Sequence, residues 1–444
     1  MENLTILKNI AKYAVPTTVS TFATIFSVLI NLKILGTINA NYLYILALYI
    51  PLNYYLISLY ESFRASAIAI SSIAQGVEDK EFLSSNIAIL SLFVLFIFLI
   101  SGLFFLFSQH AVVGLLHVNV IERFVFIQFS FYMILISIFI CLSYIFVSTF
   151  YGIGRPKVGM GLTLASAVLN CLFTYVLGYY FHLQLLSYPL AIVISYFSVG
   201  FISIVLLSKM KVIRMGCVQI DKRQIQHVLV FLKKISLPVW ITYLVLFCCL
   251  FVTNFILAHF GATVLTGFGI AYRIQSLVIL PAVSLGTAIA VLVNRQLAEK
   301  MEEKAMKTLQ LGIFSAVCMY AVVVLLIVVF KYFIVSSLTD QPAIVASTLD
   351  YFRYVGLSYI GLGPLVVYLV VLEQTGSGAK SLFINFFYLM LPTVVGGYFA
   401  LHFSNFHILY ALVATINILS LVLVGVSCFG RKTPIKNLIA VTQL

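Results

Sequence analysis

Long apolar blocks alternate with short polar connections along this chain. They cover residues 10–36, 43–74, 86–107, 124–150, 159–181 and 187–208. A second set covers 236–258, 265–293, 307–334, 350–373, 381–401 and 406–428. A helix of about 20 residues crosses the hydrocarbon layer of a bilayer, and every block is that long. Barrel strands would alternate apolar and polar positions, which these blocks do not. Within a bilayer each backbone polar group must be satisfied inside the span, which leaves the helix. The pattern predicts an all-α integral membrane protein with twelve transmembrane helices.

The second half repeats the first. Pro16 and Pro238 are 222 residues apart (238 − 16). Ala67-Ile68-Ala69-Ile70 returns as Ala288-Ile289-Ala290-Val291 and Gln75 as Gln296, both 221 residues on. The shift is half of the 444 residues. Six spans per copy is an even number, so the copies enter the membrane from the same side as parallel repeats. The expected domains are an N-terminal six-helix lobe at 1–208, a cytoplasmic linker at 209–235, a C-terminal six-helix lobe at 236–428 and a cytoplasmic tail at 429–444. The linker is expected to hold a short amphipathic helix on the inner surface.

Composition agrees with the pattern: 63% of residues are hydrophobic and 9% charged, far from the roughly 25% charged of a soluble domain. The net charge of +13 sits between the spans, which speaks for membrane topology and against a nucleic-acid partner. With the N-terminus inside, the cytoplasmic segments hold 20 of the 26 Lys and Arg, a positive-inside bias. Both termini are therefore expected in the cytoplasm, with the lipid bilayer of a bacterial inner membrane as surroundings. The seven Cys are scattered through apolar runs without a C-x-x-C. They read as small buried residues, not as disulfides or metal ligands.

Polar residues inside spans are costly and mark candidate sites. Span two carries Asn53, Glu61, Arg64, Ser71 and Gln75, all within an arc of about 80° at 100° per residue. Glu61 and Arg64 are an i, i+3 pair, readable as a static ion pair or as a titratable site. Span eight carries Arg273 and Ser276, span seven Asn254, and span one Asn31 and Lys33. Lys33 either faces the interior or snorkels to the outer surface. Glu373 lies at the inner end of span ten, and Asp350 and Arg353 at its outer end, where they are placed to pair. The chain has no phosphate-binding loop, H-E-x-x-H, G-x-S-x-G or paired-carboxylate centre, so an enzyme is not expected and no cofactor beyond a coupling ion is implied.

The chain resembles the multidrug and toxic compound extrusion (MATE) transporters over nearly its whole length. The likeness rests on Ala14-Val15-Pro16 through Leu35-Gly36, Tyr151-Gly152-Ile153-Gly154-Arg155-Pro156, Leu169-Asn170, Leu237-Pro238, Phe260-Gly261-Ala262, Ala271-Tyr272-Arg273-Ile274, Leu280-Pro281 through Gln296, and Gly376-Ser377-Gly378. The second-half run is most similar to the DNA-damage-inducible branch. The resemblance implies two lobes forming a V-shaped cleft, and export of amphipathic small molecules by alternating access in exchange for H+ or Na+. It also implies an Asp about fifteen residues after the first-span Pro as the coupling site, where this chain has Asn31. No acid lies between Glu2 and Glu61, so the usual site is missing. The candidate coupling residues are Glu61, Asn31 and Glu373, and the candidate substrate contacts are Asn53, Arg64, Asn170, Asn254, Arg273 and Ser276. A monomer suffices for this fold. The alternative is a flippase or exporter of an anionic substrate with weak or no ion coupling, because Arg64, Arg273 and Lys33 are basic.

Overall fold

The computed structural model describes residues 2–116, 118, 120, 122–213 and 220–429. Twelve helices are long and apolar enough to cross a membrane, and the described residues contain no strand. They are α1 (Glu2–Ile38), α2 (Ala40–Val77), α3 (Lys80–Leu115), α4 (Arg123–Gly152), α5 (Pro156–Tyr179) and α6 (Ser187–Lys209). The second set is α7 (Lys222–Ala258), α8 (Ala262–Ala298), α9 (Glu302–Ser336), α10 (Pro342–Gln374), α11 (Gly378–His402) and α12 (His407–Phe429). Local sequence sets many of their starts. The side chains of Asn39, Asp79 and Asp221 accept from the free backbone N–H groups of Asn41, Phe82 and Gln224, and Pro156 and Pro342 open α5 and α10. Both devices suit helix N-termini, whose first N–H groups have no partner within the helix.

The repeat is visible in the backbone. Left-handed residues occur in pairs 222 positions apart: Glu78 with Lys300, Gly154 with Gly376, and His182 with Ser404. Gly154 and Gly376 have φ of 87° and 86°, which glycine adopts without the penalty a Cβ brings. They reverse the chain between α4 and α5 and between α10 and α11. The similarity of Ala67–Ile70 to Ala288–Val291, at 221, is one residue off the register that these turns keep.

Packing divides the chain into two compact units. One comprises residues 19–240 and the other residues 2–18 together with the described residues from 241 onward. Thus α1 changes unit at Thr18/Val19 and α7 at Trp240/Ile241, positions again 222 apart (240 − 18). Within the first unit α2 packs on α4 and α5 on α6, and within the second α8 packs on α9 and α10. In the second unit Glu2 pairs with Lys307 at 2.6 Å, and the Thr17 hydroxyl lies 3.5 Å from the Ser284 carbonyl oxygen.

The 209–235 stretch differs from its expected form. Residues Lys222–Phe231 are helical but continue through a π-helical segment, Leu232–Ser236, directly into the span. They bury His227, Val228 and Phe231. Phe82 of α3 lies 5.9 Å from the His227 ring and 6.4 Å from the Phe231 ring, and Asn86 donates to Gln224 at 2.9 Å. The amphipathic face therefore docks on α3 of the first unit. The remainder of α7 shows how a membrane helix absorbs such a segment, since π turns add a residue without breaking the helix.

Candidate functional site

In the first unit, three helices bring Asn31, Asn170 and Ser195 together. The Asn31 amide nitrogen donates to the Asn170 carbonyl oxygen. Asn170 Nδ2 donates to Ser195 Oγ at 3.3 Å, and that hydroxyl donates to the Ala191 carbonyl at 2.6 Å. All three side chains are buried, and Asn31 Oδ1 has no hydrogen-bond partner among the described residues. The rest of the α1–α5 seam is also polar: Ser27 bonds the Ala167 carbonyl at 3.2 Å, and Thr37 bonds Tyr179 at 2.6 Å. The network contains no ionisable carboxylate. Its hydrogen bonds run in one direction and hold α1, α5 and α6 in register.

Glu61 and Arg64 form the ion pair expected from their spacing. Arg64 Nη2 and Nε lie 2.6 and 2.7 Å from the same carboxylate oxygen, Oε2. Glu61 Oε1 has no hydrogen bond among the described residues. Both side chains keep about a fifth of their surface exposed, 21% and 23%. Glu61 is the 22nd residue of the 38 in α2, so the pair sits near the middle of the span. The helix is held there by its contact with α4: a Cβ on Gly152 would collide with the Ser71 side chain and come within 2.9 Å of the Ile68 carbonyl oxygen. Tyr60 meets Tyr144 edge-on at 6.0 Å and stacks on Phe98 at 6.4 Å. The polar stripe of α2 is not uniform: Ser71 is fully buried and bonded to the Ala67 carbonyl, whereas Asn53 is partly exposed.

The second unit holds the other candidates, apart from one another in their bonding. Arg273 is exposed and has no hydrogen bond or ion pair among the described residues. Ser276 donates to the Tyr272 carbonyl at 2.9 Å, and Asn254 is partly exposed. Glu373 accepts from Ser381 Oγ at 3.1 Å and from Asn385 Nδ2 at 3.5 Å. Asp350 and Arg353 do not form the expected pair. The basic side chain that reaches Asp350 is His407, with 3.8 Å between Nε2 and Oδ2, because α12 brings the imidazole across to that carboxylate.

A profile of the MatE family matches residues 238–399. Solved structures extend the likeness to the whole length. The VcmN MATE transporter of Vibrio cholerae in its bent form superposes with a TM-score of 0.90 at 14% identity, covering 100% of this chain and 99% of that one. A MOP superfamily transporter from Pyrococcus furiosus, described as having a binding pocket of reversed polarity that suggests a different function, superposes with a TM-score of 0.85 at 15% identity. The overlap covers 98% of this chain and 96% of that one. No curated protein matches the chain by sequence. The chain thus has the fold of the solved MATE transporters.

In the second unit the structure shows a largely buried hydrogen-bonded aromatic cluster that periodicity did not mark. Gln275 Oε1 accepts from Tyr351 OH and, at 3.3 Å, from Tyr359 OH. Tyr388 OH donates to Asn417 Oδ1 at 2.6 Å, and Asn417 Nδ2 donates to Ser358 Oγ at 2.8 Å. The chain has 26 Tyr, many of them in spans, so periodicity alone does not separate these from lipid-facing rings. The signal that points to them is the amide-bearing residues Gln275 and Asn417, which need partners wherever they are buried.

Proposed function

We propose that this protein is a secondary transporter of a bacterial cytoplasmic membrane, with both termini on the cytoplasmic side. It exports amphipathic small molecules by alternating access in exchange for H+ or Na+. The observation that carries the coupling assignment is the Glu61–Arg64 pair near the middle of α2, with its free Oε1. The position of Asn31, where the family resemblance implies a carboxylate, is filled by a neutral hydrogen-bonded network. A proton arriving at Glu61 removes the charge that holds Arg64, whose two charge-assisted hydrogen bonds are the strong kind. Loss of the proton re-forms the pair. Exchange is a competition between Glu61 and other groups for Arg64. Glu373, held by Ser381 and Asn385, is a secondary carboxylate for coupling.

The test uses proteoliposomes and two fluorescent amphiphiles, the cation ethidium and the anion N-dansyl-leucine. A pH gradient and then a Na+ gradient are imposed on wild type and Glu61→Gln. Gradient-driven dye movement that the substitution abolishes supports the assignment, and movement unchanged in Glu61→Gln refutes it. The neutral Asn31 network favours a second reading, a flippase or exporter of an anionic substrate with weak or no ion coupling. The reversed pocket polarity described for the Pyrococcus furiosus transporter is a precedent for such a change within the fold. Movement of the anion alone, indifferent to both gradients, would favour it.

A further inference from the structure

Arg273 is the twelfth residue of α8 and lies seven residues from the middle of that helix, a distance of about 10 Å. The hydrocarbon layer extends roughly 15 Å to either side of its midplane, so with α8 centred on the bilayer Arg273 lies at membrane depth. It has no hydrogen bond, ion pair or ring contact among the described residues. Its neighbours in sequence do not compensate it, since no Asp or Glu occurs between Asp221 and Glu299. Arg353 differs in this respect, because Asp350 lies one turn away on its own helix. A bare positive charge at this depth is costly and ordinarily faces protein, a water-filled cavity or an opposite charge.

The face around Arg273 is open. Taking 100° per residue, Thr266, Gly269, Ser276, Leu277 and Leu280 share an arc of about 100° with Arg273. A Cβ on Gly269, one turn away, would meet no atom within 4 Å. Leu277 is exposed on the same face. One cation, two hydroxyls, room beside them and an adjoining apolar surface together suit a molecule with an anionic head and an apolar body. We infer that Arg273 anchors the anionic group of the transported amphiphile, with Gly269 leaving space for its head and Leu277 and Leu280 taking its body. This deepens the exporter reading and rests on it. The same chemistry is offered by a free anionic amphiphile and by an acidic phospholipid headgroup.

The experiment uses phosphatidylcholine liposomes containing wild type, Arg273→Gln, Arg273→Lys or Gly269→Leu. One arm follows N-dansyl-leucine, a second follows fluorescent phosphatidylglycerol, and a third follows ethidium. Losing a charge-assisted hydrogen bond should slow anion movement by about ten- to a hundredfold in Arg273→Gln. Arg273→Lys should retain most of it, and Gly269→Leu should slow it by occupying the open space. Ethidium movement should be unaffected by all three. The anion arm that depends on Arg273 identifies the source of the anionic group. Anion movement equal in wild type and Arg273→Gln overturns the inference, as does ethidium movement without movement of either anion. If wild type moves none of the three, the exporter reading itself fails.

Discussion

Asn31 sits in a buried, neutral hydrogen-bonded network with Asn170 and Ser195. Alanine at this position strands the buried Asn170 carbonyl oxygen, and a buried unsatisfied acceptor costs about 1–3 kcal/mol. Asn31→Ala should therefore lower the melting temperature in detergent, and an unchanged value would mean the network bears no load. The Glu61–Arg64 pair predicts a different pattern. Removing one partner leaves an uncompensated charge, whereas removing both does not. The double variant Glu61→Gln/Arg64→Gln should melt above Arg64→Gln alone, measured by the same thermal scan. Both clusters were partly legible in the sequence. The i, i+3 spacing specified the ion pair, and the polar composition of span one flagged Asn31. Ser195 and the exposure of Arg273 were not legible, because the first depends on which helices become neighbours and the second on which face of α8 is left uncovered.

At the scale of elements, the α2–α4 contact places Glu61. Its close point is Gly152 against Ile68 and Ser71, so Gly152→Val should force these helices apart. Overpacking of this kind costs about 1–3 kcal/mol, and the expected result is a lower melting temperature with reduced gradient-driven transport. Wild-type behaviour would show that the contact yields without consequence. The apolar blocks predicted all twelve helices but not their ends. The first helix begins at Glu2, where the block began at residue 10, and α3 runs to Leu115, where the block ended at residue 107. Helical hydrogen bonding continues past the apolar stretch that a bilayer requires, so hydropathy marks the membrane portion only. Lys222–Phe231 was read as a separate surface helix for the same reason. Its charges hid the buried trio His227, Val228 and Phe231 that docks it on α3.

At the scale of the whole molecule, the duplication was legible from Pro16/Pro238 and the two Ala-Ile-Ala runs, but the partition of the packing was not. The polar stretch at 209–235 looks like the boundary, yet the compact units exchange the first parts of α1 and α7. Residues 2–18 belong to the unit built mostly from the second repeat, and residues 220–240 to the unit built mostly from the first. Fragments 1–213 and 214–444 expressed together should therefore co-purify from membranes, whereas fragment 19–213 should be retained by 214–444 less well. Equal recovery of the two would count against a contribution from the α1 segment. The central claim is that substrate movement is exchanged for protons at Glu61. It is tested most directly by a pH-sensitive dye trapped inside proteoliposomes while an inward gradient of N-dansyl-leucine or ethidium is applied. The account predicts that the lumen becomes alkaline with wild type and stays unchanged with Glu61→Gln. Substrate entry into wild-type liposomes with no change in lumenal pH, or alkalinisation that persists in Glu61→Gln, would contradict it.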